Sequence, residues 1–106
     1  MNRKLVAIIL SVAVILIAAP AAFAAPDGGA LYKAKCTSCH GADGGGMTPM
    51  GKAMKLRDLR SPEVKKLTDA ELTKVTADGK GKMPAYKGKL SDADISALVA
   101  YMRTLK

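Results

Sequence analysis

Beyond residue 24 the sequence offers only 12 Leu, Ile and Val among 82 residues, and neither Phe nor Trp. That share, near 15%, is too small for an ordinary globular core. A domain of this size is marginal even with normal apolar content, because a short chain buries a smaller fraction of its surface. Either the segment stays unfolded, or a large apolar body from outside the polypeptide fills its centre. The overall hydrophobic content of 49% hides this, since 20 of the apolar residues lie in the first 25 positions. With 106 residues and two Cys, a multidomain enzyme and a disulfide-rich scaffold are both excluded.

The front of the chain reads as an export signal. Met1 to Lys4 form a short positive region, Leu5 to Ala19 an apolar run, and Ala22-Phe23-Ala24 a small-residue cleavage site. The expected boundaries are a signal peptide over 1–24 and one domain over 25–106. The rival is an uncleaved anchor, since Leu5 to Ala25 is long enough to span a membrane. Pro20 and the cleavage site argue against it. The domain is expected in the periplasm, with a net charge of +6 over 25–106.

Within that domain the signals are helical. Asp27 caps a helix expected to run to about Cys39, and Ser61-Pro62-Glu63 starts a short one. Thr68-Asp69-Ala70-Glu71 is a capping box whose helix ends at Gly79. Ser91 to Asp94 cap a last helix, along which Ile95, Leu98, Val99, Met102 and Leu105 form one apolar stripe. Residues 41–46 hold four Gly and read as a tight loop, whereas 47–60 show no clear period. No stretch alternates with period two, so the expectation is all-α, with about four short helices.

Cys36-Thr37-Ser38-Cys39-His40 is the sharpest motif. On a helical turn, positions i, i+3 and i+4 share a face, so both sulfurs and the imidazole can address one flat object. The pattern C-x-x-C-H reads as attachment of a c-type haem. Each cysteine would form a thioether to the haem, and His40 would ligate its iron. Such a group, one per chain and covalently bound, also supplies the missing apolar body. A zinc site would want four ligands, and two Cys and one His fall short. A thioredoxin-like dithiol wants a strand before the motif, and a plain disulfide leaves the empty core unexplained.

With a single His in the sequence, a second axial histidine is impossible, which leaves methionine. Met47, Met50 and Met54 follow His40 by 7, 10 and 14 residues, too closely for an easy crossing to the other haem face. Met102 sits on the apolar stripe and reads as core. Met83 lies 43 residues after His40, beyond two expected helices, beside the rigid Pro84. Met83 is therefore the expected sixth ligand, and Met54 its rival.

Gly28-x-x-x-Tyr32-x-x-x-Cys36-x-x-Cys39-His40-Gly41, then Lys82-Met83-Pro84-Ala85-Tyr86, then Lys89 to Ile95 and Leu98 to Met102, together cover nearly all of 27–105. In these residues the chain resembles a small bacterial class I cytochrome c, similar to the c6, c551, c553 and c555 group. The resemblance implies a class I fold around one haem, with first and last helices crossing near Gly28, Leu98 and Tyr101. It also implies a proline carbonyl, best matched by Pro49, accepting from the His40 imidazole. The lack of Trp leaves Tyr86 as the only aromatic beside Met83.

In a fold of that kind the haem edge meets solvent near the Met83 loop, which Lys80, Lys82, Lys87 and Lys89 flank. A positive surface there suits transient redox partners with acidic docking surfaces. Nucleic acid is not expected of an exported chain without a basic recognition helix, and no small-molecule substrate is expected. The expectation is a soluble, monomeric carrier, moving one electron through His/Met-ligated haem, and not an enzyme. Two alternatives remain: a haem enzyme or gas sensor with a displaceable distal methionine, or a membrane-tethered electron-transfer subunit of a larger complex.

Overall fold

A computed structural model describes residues 25–106, so the expected signal peptide over 1–24 lies outside the described residues. Helices begin wherever a short polar side chain can take up free amides. Asp27 accepts from Ala30 N at 3.1 Å to open α1 (Gly28–Lys35). The C-x-x-C-H turn is α2 (Thr37–His40), and Thr48 caps α3 (Pro49–Ala53) through Gly51 N at 2.9 Å. Ser61 caps α4 (Pro62–Lys65), and Thr68 and Ser91 open α5 (Asp69–Asp78) and α6 (Asp92–Met102) with reciprocal capping boxes.

The all-helical class stands, with six helical segments among the described residues where about four were expected. The first expected helix divides at Cys36, whose φ of −115° breaks the regular turn. The new segment is α3, hidden in the stretch without period. It is short because Lys55 turns the chain at φ 53°, in the left-handed region. Among the described residues there are only isolated backbone bridges, Lys80 with Met83 and Lys87 with Leu90, and no strand.

Helices α1 and α6 cross as the resemblance implied. A Cβ on Gly28 would overlap the carbonyl oxygen of Ala97 and stand 3.1 Å from Cβ of Tyr101, so only glycine lets the backbones meet. Tyr32 packs on Tyr101 with ring centroids 5.2 Å apart. Helix α6 also lies on α5, where Val64, Leu72 and Val99 form a buried cluster flanked by Leu59, Leu67 and Met102. Arg103 ties the end of α6 to Asp69 at 2.9 Å and to the Lys65 and Leu67 carbonyls. Tyr32, Val64, Leu72, Ile95, Leu98 and Val99 are the buried hydrophobic residues, a small set for such a domain.

Candidate functional site

The end of α1 delivers Cys36 to the site, and α2 completes the turn, with His40 N donating to the Cys36 carbonyl at 2.9 Å. The turn is gripped from two sides. The Tyr32 hydroxyl donates to the Gly41 carbonyl at 2.6 Å, and Thr37 Oγ1 donates to the Tyr32 carbonyl at 3.2 Å. From the other side Thr48 Oγ1 donates to the Cys39 carbonyl at 2.7 Å. The buried Gly51 also lies so close that a Cβ there would come within 2.6 Å of that oxygen.

Beside this turn is a cavity of about 570 Å³, within the range that cofactor sites occupy. Tyr32, Cys36 and His40 form one part of its wall, and Met54, Leu56 and Leu59 another. Val64, Leu67, Leu72, Val75 and Thr76 contribute from α4, α5 and the turn between them. Met83 comes from the loop after α5, and Leu98 and Met102 from α6. The apolar residues of the domain thus surround a space instead of closing on one another.

Cys36, His40 and Met83 are therefore brought to one cavity. Cys39 shares the same turn and is half-buried, but it is not part of the wall. Met54 and Met102 line the cavity too, so Met102 is both core and wall. Met47 and Met50 stand 67% and 53% exposed, away from the cavity. Pro49 is exposed at the first position of α3. It does not accept from His40, whose Nδ1 is buried without a hydrogen-bond partner. The expected Pro49 bond is not formed.

Of the four lysines singled out, Lys80 and Lys82 line the cavity, whereas Lys87 and Lys89 are exposed on the turn that follows. Lys55 and Arg57 also line it, and sequence reasoning missed them because 47–60 has no readable period. Four cations and no carboxylate therefore border the cavity. Burial pushes the His40 imidazole below its ordinary pKa, favouring the neutral form that can ligate a metal. Burial, then Cys39 nearby, raises the Cys36 thiol to about 11. Burial likewise raises the Tyr32 phenol to about 12, with smaller contributions from neighbouring Cys36, Tyr101 and Asp43.

The Met83 loop, residues 79–90, is fastened mainly to α5. Met83 N donates to the Lys80 carbonyl at 3.0 Å, and Lys80 N returns a bond to Met83 at 3.2 Å. Tyr86 N and Lys87 N donate to the Thr76 and Ala77 carbonyls at 3.2 and 3.0 Å.

The donor set fits a c-type haem: an apolar cavity, a thiol and a neutral imidazole in its wall, thioethers around it, and cations to meet two propionates. The alternatives fare worse. Among the described residues no cluster of three His, Cys, Asp or Glu could hold a metal ion, and Cys36 and Cys39 are not bonded to each other. A helix, not a strand, precedes the motif. An all-helical domain wound on such a cavity, with C-x-x-C-H in its wall, has the architecture of a class I c-type cytochrome.

Comparison with known proteins agrees. Residues 23–102 match a family model described as cytochrome c oxidase, cbb3-type, subunit III. Cytochrome c6 of Leptolyngbya boryana is 40% identical over 78 residues, covering 74% of this chain and 88% of that one. Cytochrome c6 of Picosynechococcus sp. is 36% identical over 109 residues, covering 94% and 92%. The solved structure of the KustC0563 c-type cytochrome superposes with a TM-score of 0.70 at 32% identity, over 76% of this chain and 98% of that one. The chain belongs to the cytochrome c family, as a small class I protein of the cytochrome c6 kind. It is accordingly an electron-transfer protein carrying covalently attached haem c, and not an enzyme. Among the described residues no helix is long and apolar enough to cross a membrane.

Proposed function

We propose that the protein is a soluble periplasmic carrier of single electrons, exported by a signal peptide over 1–24 and working as a monomer with one haem. Cys36 and Cys39 would anchor the haem as thioethers, and His40 and Met83 would ligate its iron. Bound there, haem c supplies exchange of one electron between ferrous and ferric iron. The reading rests on one observation: Cys36 and His40 of one turn and Met83, 43 residues further along, line the same apolar cavity. A thioether is a soft ligand that favours the ferrous state and raises the reduction potential. Burial of the ligands away from water limits rearrangement between the two states. Lys80, Lys82, Lys87 and Lys89 form the surface that meets acidic partners transiently.

Two variants test the axial assignment. Met83→Ala should abolish the methionine–iron charge-transfer band, lower the potential and open the ferric iron to cyanide, with the haem still attached. Met54→Ala should leave the band in place. The opposite pattern would assign the iron to Met54, which also lines the cavity.

A second reading is favoured by the description of the matching family model, an oxidase subunit. The chain would then wire a larger membrane complex with the same chemistry. The intact mass and salt extractability of the native protein separate the two. A mass of residues 25–106 plus one haem in the soluble fraction supports the carrier, and recovery only with washed membranes supports the subunit.

A further inference from the structure

Among the described residues, the hydrogen bonds of the Met83 loop run within the loop, to α5 or to the start of α6, with a single exception. The Tyr86 hydroxyl donates to the carbonyl of Lys35 at 3.1 Å, across 51 positions of sequence. Lys35 is the last residue of α1 and precedes Cys36 directly. Among the described residues it is the one hydrogen bond between the loop and the chain leading into the turn that bears Cys36, Cys39 and His40. Tyr86 itself is half-buried and does not line the cavity, so it is placed to fasten the loop without touching the iron. Gly79 is packed against the Met83 carbonyl at the α5 end, whereas Gly81 and Gly88, at φ of 58° and 84°, have nothing within 4 Å of a Cβ and leave that part of the loop unsupported by other elements.

We propose that Tyr86 is the positioning residue that keeps the Met83 loop shut against the Cys36–His40 turn, through its hydroxyl on the Lys35 carbonyl. The inference rests on Met83 being the distal ligand. With Cys36 and Cys39 fixing one side of the site and Met83 supplying the other, the latch sets how often the loop opens and the sulfur leaves the iron. Such local opening is distinct from unfolding, because Leu98 and Val99 of the core and the α1–α6 crossing need not separate. The rest of the loop's anchorage, at Thr76 and Ala77, lies on α5 and can act as the hinge side.

The experiment uses the haem-loaded protein and Tyr86→Phe, which removes only the hydroxyl. At saturating cyanide, the rate of binding to ferric protein reports loop opening. Loss of one partly exposed hydrogen bond should raise that rate roughly fivefold. Amide exchange at Met83, Tyr86 and Lys87 should accelerate by a similar factor, while Ile95, Leu98 and Val99 stay unchanged. Tyr86→Leu, which removes ring and hydroxyl together, should raise the cyanide rate further. An unchanged rate in Tyr86→Phe overturns the proposal. Equal acceleration of exchange in loop and α6 also overturns it, because the hydroxyl would then support the whole fold. Failure of the axial reading looks different, since the charge-transfer band would survive in Met83→Ala.

Discussion

Placing a single methyl group at the α1–α6 crossing, Gly28→Ala, is the most direct test of how the scaffold holds its site. The new Cβ would stand 2.7 Å from the Ala97 carbonyl carbon and closer still to its oxygen. Ordinary carbon contacts sit at about 3.5–4.0 Å, so the helices must part by roughly 1 Å. The neighbour is backbone, which no rotamer change can move aside. Parting the helices also loosens Tyr32 from Tyr101 and exposes Ile95 and Leu98, both buried in α6. Overpacking of this kind costs about 1–3 kcal/mol, and the gain in helix propensity from Gly to Ala offsets at most about 1 kcal/mol. Because the clash is with backbone, the cost falls toward the upper end, about 2–3 kcal/mol. The expected net loss is about 1–2 kcal/mol, or a fall in Tm of roughly 4–16 °C for a domain of this size. Thermal and denaturant unfolding of the haem-loaded protein read it. Gly29→Ala is the matched control, because its Cβ meets a side chain, the Tyr101 ring edge, at 3.2 Å. Equal Tm values for wild type and Gly28→Ala would refute the reasoning, as would equal losses in the two variants.

Three further outcomes are expected. Replacing Cys36 and Cys39 together by Ala should yield a largely unstructured chain by far-ultraviolet circular dichroism, because haem binding supplies folding energy that the sparse core does not; stable native helix without haem contradicts this. Tyr32→Phe should cost about 0.5–1.5 kcal/mol in denaturant unfolding, since the Gly41 carbonyl loses its 2.6 Å donor and keeps only Gly44 N at 3.2 Å, while the haem stays attached. Acid stability should depend on Arg60, whose guanidinium and then backbone amide hold the Asp58 carboxyl below its ordinary range. A depressed carboxyl stabilises the fold above the unfolded carboxylate pKa and loses that contribution as pH falls through the lower folded value. Arg60→Gln should therefore lower Tm at neutral pH and lose less between about pH 5 and pH 3. Parallel Tm profiles for the two proteins across that window count against it.

Much of the site was legible because its chemistry is local. C-x-x-C-H needs only one helical turn to align its side chains, and the turn forms as α2. The caps at Asp27, Ser61, Thr68 and Ser91 each open the expected helix, since a cap bonds to an amide three residues on. The shortage of aliphatic residues likewise foretold a cavity that the chain leaves for another group. Pro49 does not take its implied role: it starts α3 beside the Thr48 cap, and His40 Nδ1 has no hydrogen-bond partner.

What the sequence by itself determined was therefore the cofactor class, the helical starts at Asp27, Ser61, Thr68 and Ser91, and the turn that carries Cys36, Cys39 and His40, all properties of neighbouring residues. Tertiary structure alone decided what joins across the fold. Lys55 and Arg57 reach the cavity because the chain turns at a left-handed residue that no composition rule marks. Met54 shares the cavity wall with Met83 and Met102, and only its position in space distinguishes it from Met47 and Met50, its neighbours in sequence. The Tyr86–Lys35 bond spans 51 residues, a separation over which a hydrogen bond leaves no periodic trace in sequence. Contacts of that kind depend on how helices pack, and packing is set by the whole chain at once.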